Sequence, residues 1–140
     1  MIYFAKIKKT QDSYLVEFPD LKGCMTEGDT LEDALKYAKE ALNGWMATRY
    51  DMELKIPKAK EYQGRSYHPI EVDLQIVFAI RLRQARLKQG LSQSQVAKRL
   101  GITQQAYAKF ESPDSTNPSL KTIKKLAEAL ELDSSYQLVA

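Results

Sequence analysis

"LSQSQVAKRLGITQQAYAKFE", Leu91 to Glu111, describes two short helices joined by a tight turn. Ser92 offers a capping hydroxyl, and Gln95, three residues on, can complete a capping box. Gly101 supplies the left-handed residue that ends the first helix, and Thr103 caps the second. Val96, Ala97 and Leu100 face inward, with Ala97 small enough for close helix approach. At 100° per residue, Ile102, Ala106, Tyr107 and Phe110 fall on one side of the second helix. Gln104, Gln105, Ala108 and Lys109 fall on the other. The first set is expected to be core and the second exposed.

An exposed face of two amides, a methyl and an ammonium suits the major groove. Glutamine can pair in bidentate fashion with the adenine edge, alanine can touch a thymine methyl, and lysine can reach guanine acceptors or a phosphate. The competing reading is a solvated polar face in an all-α bundle. Two caps, a small packing residue, a turn glycine and basic surroundings favour the groove.

Working outward, Ile76, Ile80, Leu82, Ala85 and Leu87 fit a preceding helix that ends near Gly90, and Ser119 to Leu130 fits a following one. The tail "YQLVA", 136–140, is expected either to pair with a second chain as a strand or to pack on its own domain. Charge divides with the pattern: residues 1–73 carry 11 Lys/Arg against 13 Asp/Glu, a net −2, while residues 74–140 carry 10 against 5, a net +5. Nucleic acid, if bound, is expected at the basic C-terminal half. Lys98, Arg99, Lys124 and Lys125 are secondary candidates for phosphate contact.

The first half reads differently. "IYFAKIK" and "SYLVEF" are strands of a hairpin, with Tyr14, Val16 and Phe18 on one face, and "CMTE" is a third strand before Gly28. Thr30 caps a helix whose apolar stripe runs through Leu31, Ala34, Leu35, Ala38, Leu42, Trp45 and Met46, so Trp45 and Met46 are expected in the core. "LKIP" is a further strand candidate. The proline- and glycine-interrupted run "IPKAKEYQGRSYHPIE" carries the domain linker. The expected organisation is a small strand-strand-strand-helix domain over 1–65, a linker at 66–72 and an all-α helix-turn-helix domain over 73–140, an α+β chain.

Several functions are disfavoured. Cys24 and His68 are the only residues of their kinds, so no intrachain disulfide or cysteine-based metal site can be assembled, and the lone His68 argues against a histidine metal cluster or a Ser-His-Asp triad. Glu17, Asp20, Glu27 and Asp29 are close in sequence, and a two-metal nuclease needs converging acids. Each has an ordinary role on a strand face, in a turn or before a helix cap. No metal, cofactor or catalytic residue is assigned, and the chain is not expected to be an enzyme. No apolar run reaches membrane-spanning length and no signal-peptide order is present, so a cytoplasmic location without membrane association is expected.

Residues 75–132 resemble the helix-turn-helix of the Cro/phage-repressor type, and "LSQSQVAKRLGITQQAYAKFE" is similar to repressors whose recognition helix begins Thr-Gln-Gln. The resemblance implies that Gln104, Gln105 and Lys109 meet base edges and that Gln93 anchors a phosphate and buttresses the recognition helix. With Thr103, Ala108 and Lys121 these form the expected DNA-binding set. Tyr107 departs from the Ile or Val more usual at its place, and Ser119 lies where such repressors can carry a minor-groove arginine. "FPDLKGC" and "GDTLEDAL", within Ile2–Pro57, resemble the N-terminal domain of HicB antitoxins, which implies a reduced RNase H-like fold without its nuclease centre. The implied function is to bind and mask HicA, a small basic toxin that cleaves mRNA, and to repress the shared operon as a homodimer or homotetramer on operator DNA. The alternative is an orphan repressor whose first domain senses a ligand or another protein.

Overall fold

A computed structural model describes residues 1–140. The chain forms two compact units, Met1–Asp73 and Leu74–Ala140. The first contains β1 (Ile2–Lys9), β2 (Tyr14–Glu17), β3 (Met25–Gly28), α1 (Leu31–Asp51) and β4 (Tyr67–Glu71). All strand pairs are antiparallel, in the order β3-β2-β1-β4. β2 alternates as expected, with Val16 buried between exposed Leu15 and Glu17. Tyr3, Ala5 and Ile7 continue the buried set on β1.

α1 begins where expected, with the Thr30 hydroxyl accepting from the Asp33 amide at 3.0 Å. Ala34, Ala38, Leu42, Met46 and Tyr50 form its buried stripe. Trp45 is a correction: it stands half-buried on the rim. Its indole N–H donates to Lys22 O at 3.2 Å, and the Arg49 guanidinium lies 4.6 Å from its ring centre. Cys24 is buried, and burial pushes its thiol up to about 11, which leaves it protonated and weakly nucleophilic at neutral pH.

Gly28, at the end of β3, lies tight against the first turn of α1. A Cβ there would lie 2.5 Å from Ala34 N and 2.8 Å from Ala34 Cα, both backbone atoms. Gly28→Ala is expected to destabilise this unit by about 1 to 3 kcal/mol through overpacking. Gly44, inside α1 with open space where its Cβ would point, is the control. Gly44→Ala should stabilise by about 0.5 to 1 kcal/mol through helix propensity. Urea titration of the two variants checks the opposed signs.

The linker expectation is overturned. Residues 66–72 hold β4, paired with β1 from Ile2↔Glu71 to Lys6↔Tyr67. Pro69 concealed it, yet β4 is an edge strand, where a missing N–H is tolerated. "LKIP" is not a strand: Glu53 takes a left-handed conformation (φ 55°) and the chain continues irregularly. That irregular segment is tied down. Tyr3 Oη donates to Pro57 O at 2.6 Å, while Asp20 accepts from Lys60 N at 2.8 Å and Tyr62 Oη at 2.7 Å. Tyr62 also stacks on Tyr67, with ring centres 4.9 Å apart. The acid at Asp20 thus holds a strap against its own unit.

The second unit contains α2 (Leu74–Lys88), α3 (Gln93–Leu100), α4 (Gln104–Phe110), α5 (Leu120–Ala129) and a 3-10 turn at Ser135–Leu138. Phe78, Leu82, Val96, Ala97, Tyr107, Leu126, Ala127, Leu130 and Leu138 form its core. The tail is therefore not a strand. Its 3-10 turn buries Leu138 in its own unit. No helix is long and apolar enough to cross a membrane.

Candidate nucleic-acid interface

The turn between α3 and α4 is built by the expected residues. Ser92 accepts from Gln95 N at 3.1 Å while Gln95 Oε1 accepts from Ser92 N at 2.8 Å, closing the capping box. Gly101 ends α3 in the left-handed region (φ 67°, ψ 31°), a conformation that costs glycine little. The Thr103 hydroxyl accepts from Ala106 N at 3.1 Å and starts α4.

α4 turns Tyr107 fully inward, with Ala106 and Phe110 half-buried. Ile102 is a correction: it lies in the turn before the Thr103 cap rather than on the helix, and is 37% exposed. On the outer side Gln105 and Lys109 are exposed and Ala108 is half-buried. Thr103 is exposed at the cap, and Lys121 is exposed on the first turn of α5. Gln104 differs from expectation because it is half-buried and its Nε2 donates to Gln93 Oε1 at 2.8 Å. The two glutamines act as one unit linking the starts of α3 and α4.

Two residues that sequence reading missed lie beneath this pair. Glu111, at the end of α4, accepts from Arg86 Nε at 2.7 Å and Arg86 Nη2 at 3.0 Å. It also accepts from Tyr107 Oη at 3.1 Å and Gln93 Nε2 at 2.6 Å. Arg86 and Glu111 are 9% and 3% exposed, so this is a buried bidentate ion pair. The Glu111 bond holds the guanidinium above its ordinary pKa, and burial beside that carboxylate drives the Tyr107 phenol far up. Signals for both were present. Arg86 continues the four-residue spacing of Phe78 and Leu82 on the buried stripe, where a charge requires a partner. Glu111 puts a negative charge at a helix C-terminus, which the helix dipole disfavours unless compensated.

The secondary candidates separate. Arg99 Nη1 donates to Ala129 O at 2.8 Å, which occupies it at the end of α5. Lys98, Lys124 and Lys125 are exposed. Ser119, the departure from an arginine, caps α5 by accepting from Thr122 N at 3.1 Å. In the first unit no three of its His, Cys, Asp and Glu side chains stand together as metal ligands, and the same holds for the whole chain.

Comparison with known proteins matches residues 3–104 to the HicB-like antitoxins of bacterial toxin-antitoxin systems and residues 82–137 to a helix-turn-helix family. Antitoxin HicB 1 of Photorhabdus laumondii is 31% identical over 121 residues, covering 86% of this chain and 75% of that protein. Antitoxin HicB of Escherichia coli K12 is 28% identical over 95 residues, 68% of each chain. Among solved structures, a HicA3 and HicB3 toxin-antitoxin complex contains a chain 26% identical, with a TM-score of 0.45, covering 52% of this chain and 99% of that one.

Proposed function

The chain belongs to the HicB-like antitoxins of bacterial toxin-antitoxin systems, and from that membership we propose that it masks a HicA-type mRNA-cleaving toxin and represses its own operon. The Met1–Asp73 unit binds the toxin and acts by steric occlusion, without catalysing a reaction. The Leu74–Ala140 unit binds operator DNA in the cytoplasm. The observation that carries this reading is a HicB-like match joined in one chain to a helix-turn-helix whose α4 displays Gln105 and Lys109 outward beside the half-buried Gln104.

In this reading Gln105 and Lys109 reach base edges, Ala108 offers a methyl to thymine, and Gln104 reads from its Gln93 support. Gln93, Thr103 and Lys121 line the phosphate-facing rim. One α4 covers only a half-site, so operator binding uses a homodimer or homotetramer that sets two such helices about 34 to 36 Å apart. Toxin binding and operator affinity are then coupled by linkage.

The deciding experiment is co-expression with the product of the adjoining small open reading frame. Rescue of growth together with co-purification of that product is expected. Operator binding without either result would favour an orphan repressor. For the DNA contact, Gln105→Ala should weaken the cognate operator by about 1 to 3 kcal/mol while barely changing affinity for scrambled duplex. Equal losses on both duplexes in a titration at fixed salt would remove Gln105 from base reading.

A further inference from the structure

We infer that Glu111 is a positioning residue that decides which hydrogen-bonding groups of Gln104 face the base edge. The inference rests on the proposed reading of DNA through α4. An ionised carboxylate accepts hydrogen bonds and donates none. The Gln93 atom 2.6 Å from Glu111 Oε2 must therefore be Nε2, because the reversed amide would set a carbonyl oxygen against the carboxylate. That commits Gln93 Oε1 to the far side, where it accepts from Gln104 Nε2 at 2.8 Å. One N–H of Gln104 is consequently used inside the protein. Its second N–H and its carbonyl oxygen remain for DNA.

A glutamine held in this orientation presents a donor beside an acceptor, the pattern that pairs with adenine N7 and N6–H. Turned over, with its carbonyl toward Gln93, it would present N–H donors alone, which suit guanine N7 and O6. The choice between purines at this position is thus made two side chains away from the DNA.

Glu111 can impose that choice because it is itself immobile. Each carboxylate oxygen accepts two bonds: Oε1 from Arg86 Nε and Tyr107 Oη, Oε2 from Arg86 Nη2 and Gln93 Nε2. Its side chain is 1% exposed, so water cannot substitute for a lost donor. Tyr107, the departure from an apolar residue at this place, donates one of these bonds.

The test is binding-site selection by the full chain from randomised duplex DNA. Gln104→Ala first locates the base pair that Gln104 reads. There the unaltered chain should prefer adenine to guanine by roughly tenfold. Gln93→Leu cuts the relay while leaving the ion pair whole. Arg86→Met/Glu111→Leu/Tyr107→Phe removes the buried polar set. Each should reduce the preference to less than about threefold, spare the position read by Gln105, and cause no further loss when combined. Gln93→Leu keeps the test decisive if the triple replacement melts early. An adenine preference retained by both variants would overturn the role of Glu111 and leave base reading by α4 standing. If no position responds to Gln104→Ala, base reading by Gln104 fails and this inference with it.

Discussion

Glu111→Leu is expected to destabilise the Leu74–Ala140 unit by about 3 to 5 kcal/mol, the cost of leaving a buried charge without its partner. Arg86 is 9% exposed and would keep its charge, because its guanidinium cannot shed a proton at any physiological pH. Its Nη1 bond to Leu91 O, 2.9 Å, would not replace the lost carboxylate. The fully buried Tyr107 hydroxyl would lose its acceptor in the same step, adding to the loss.

Replacing the whole set by apolar residues, Arg86→Met/Glu111→Leu/Tyr107→Phe, should recover most of that stability. Removing every member leaves no orphaned polar group, and buried ion pairs exchanged for apolar residues of similar volume are often neutral or better. Urea titration, with amide exchange across α3, α4 and α5 to localise the effect, checks both outcomes. A single substitution no worse than the triple one would mean that the ion pair does not hold this unit together.

Leu42→Ala should cost the Met1–Asp73 unit about 2 to 5 kcal/mol. Leu42 is completely buried at the middle of the α1 stripe, between Ala38 and Met46, both also at zero exposure. The two buried alanines on this helix, Ala34 and Ala38, already bring it close to the sheet, which leaves little room for the backbone to collapse into a new cavity. The loss should appear as faster amide exchange at Ile7 and Val16, whose side chains lie in the same core. Under the proposed function it should also weaken growth rescue in the co-expression assay. Unchanged exchange at both amides would show that α1 does not clamp the sheet.

Local signals were readable in proportion to how local their physics is. Ser92, Gly101, Thr103 and Thr30 cap and end their helices through bonds spanning three or four residues, so a short stretch of sequence contains both partners. The alternation of β2 and the stripe of α1 are equally near-range. Where partners lie far apart, reading along the chain failed. β4 depends on β1 more than sixty residues earlier, and Pro69 argued against a strand until the sheet order placed it at an edge. Trp45 satisfied the helical period, yet its position on the rim follows from Lys22 and Arg49.

The recognition helix shows the same division. Sequence alone determined where α4 starts, that Gln105 and Lys109 point outward and that Tyr107 points inward, because one helical period and one cap decide all three. The resemblance implied that Gln93 buttresses α4, but only the tertiary structure made Gln104 its partner and joined Gln93 through Glu111 to Arg86, in contacts between three helices. Hydrogen bonds have direction, and the direction of an amide is set by the group it meets in space. A carboxylate buried beneath α4 therefore governs an orientation that the letters "TQQ" leave open.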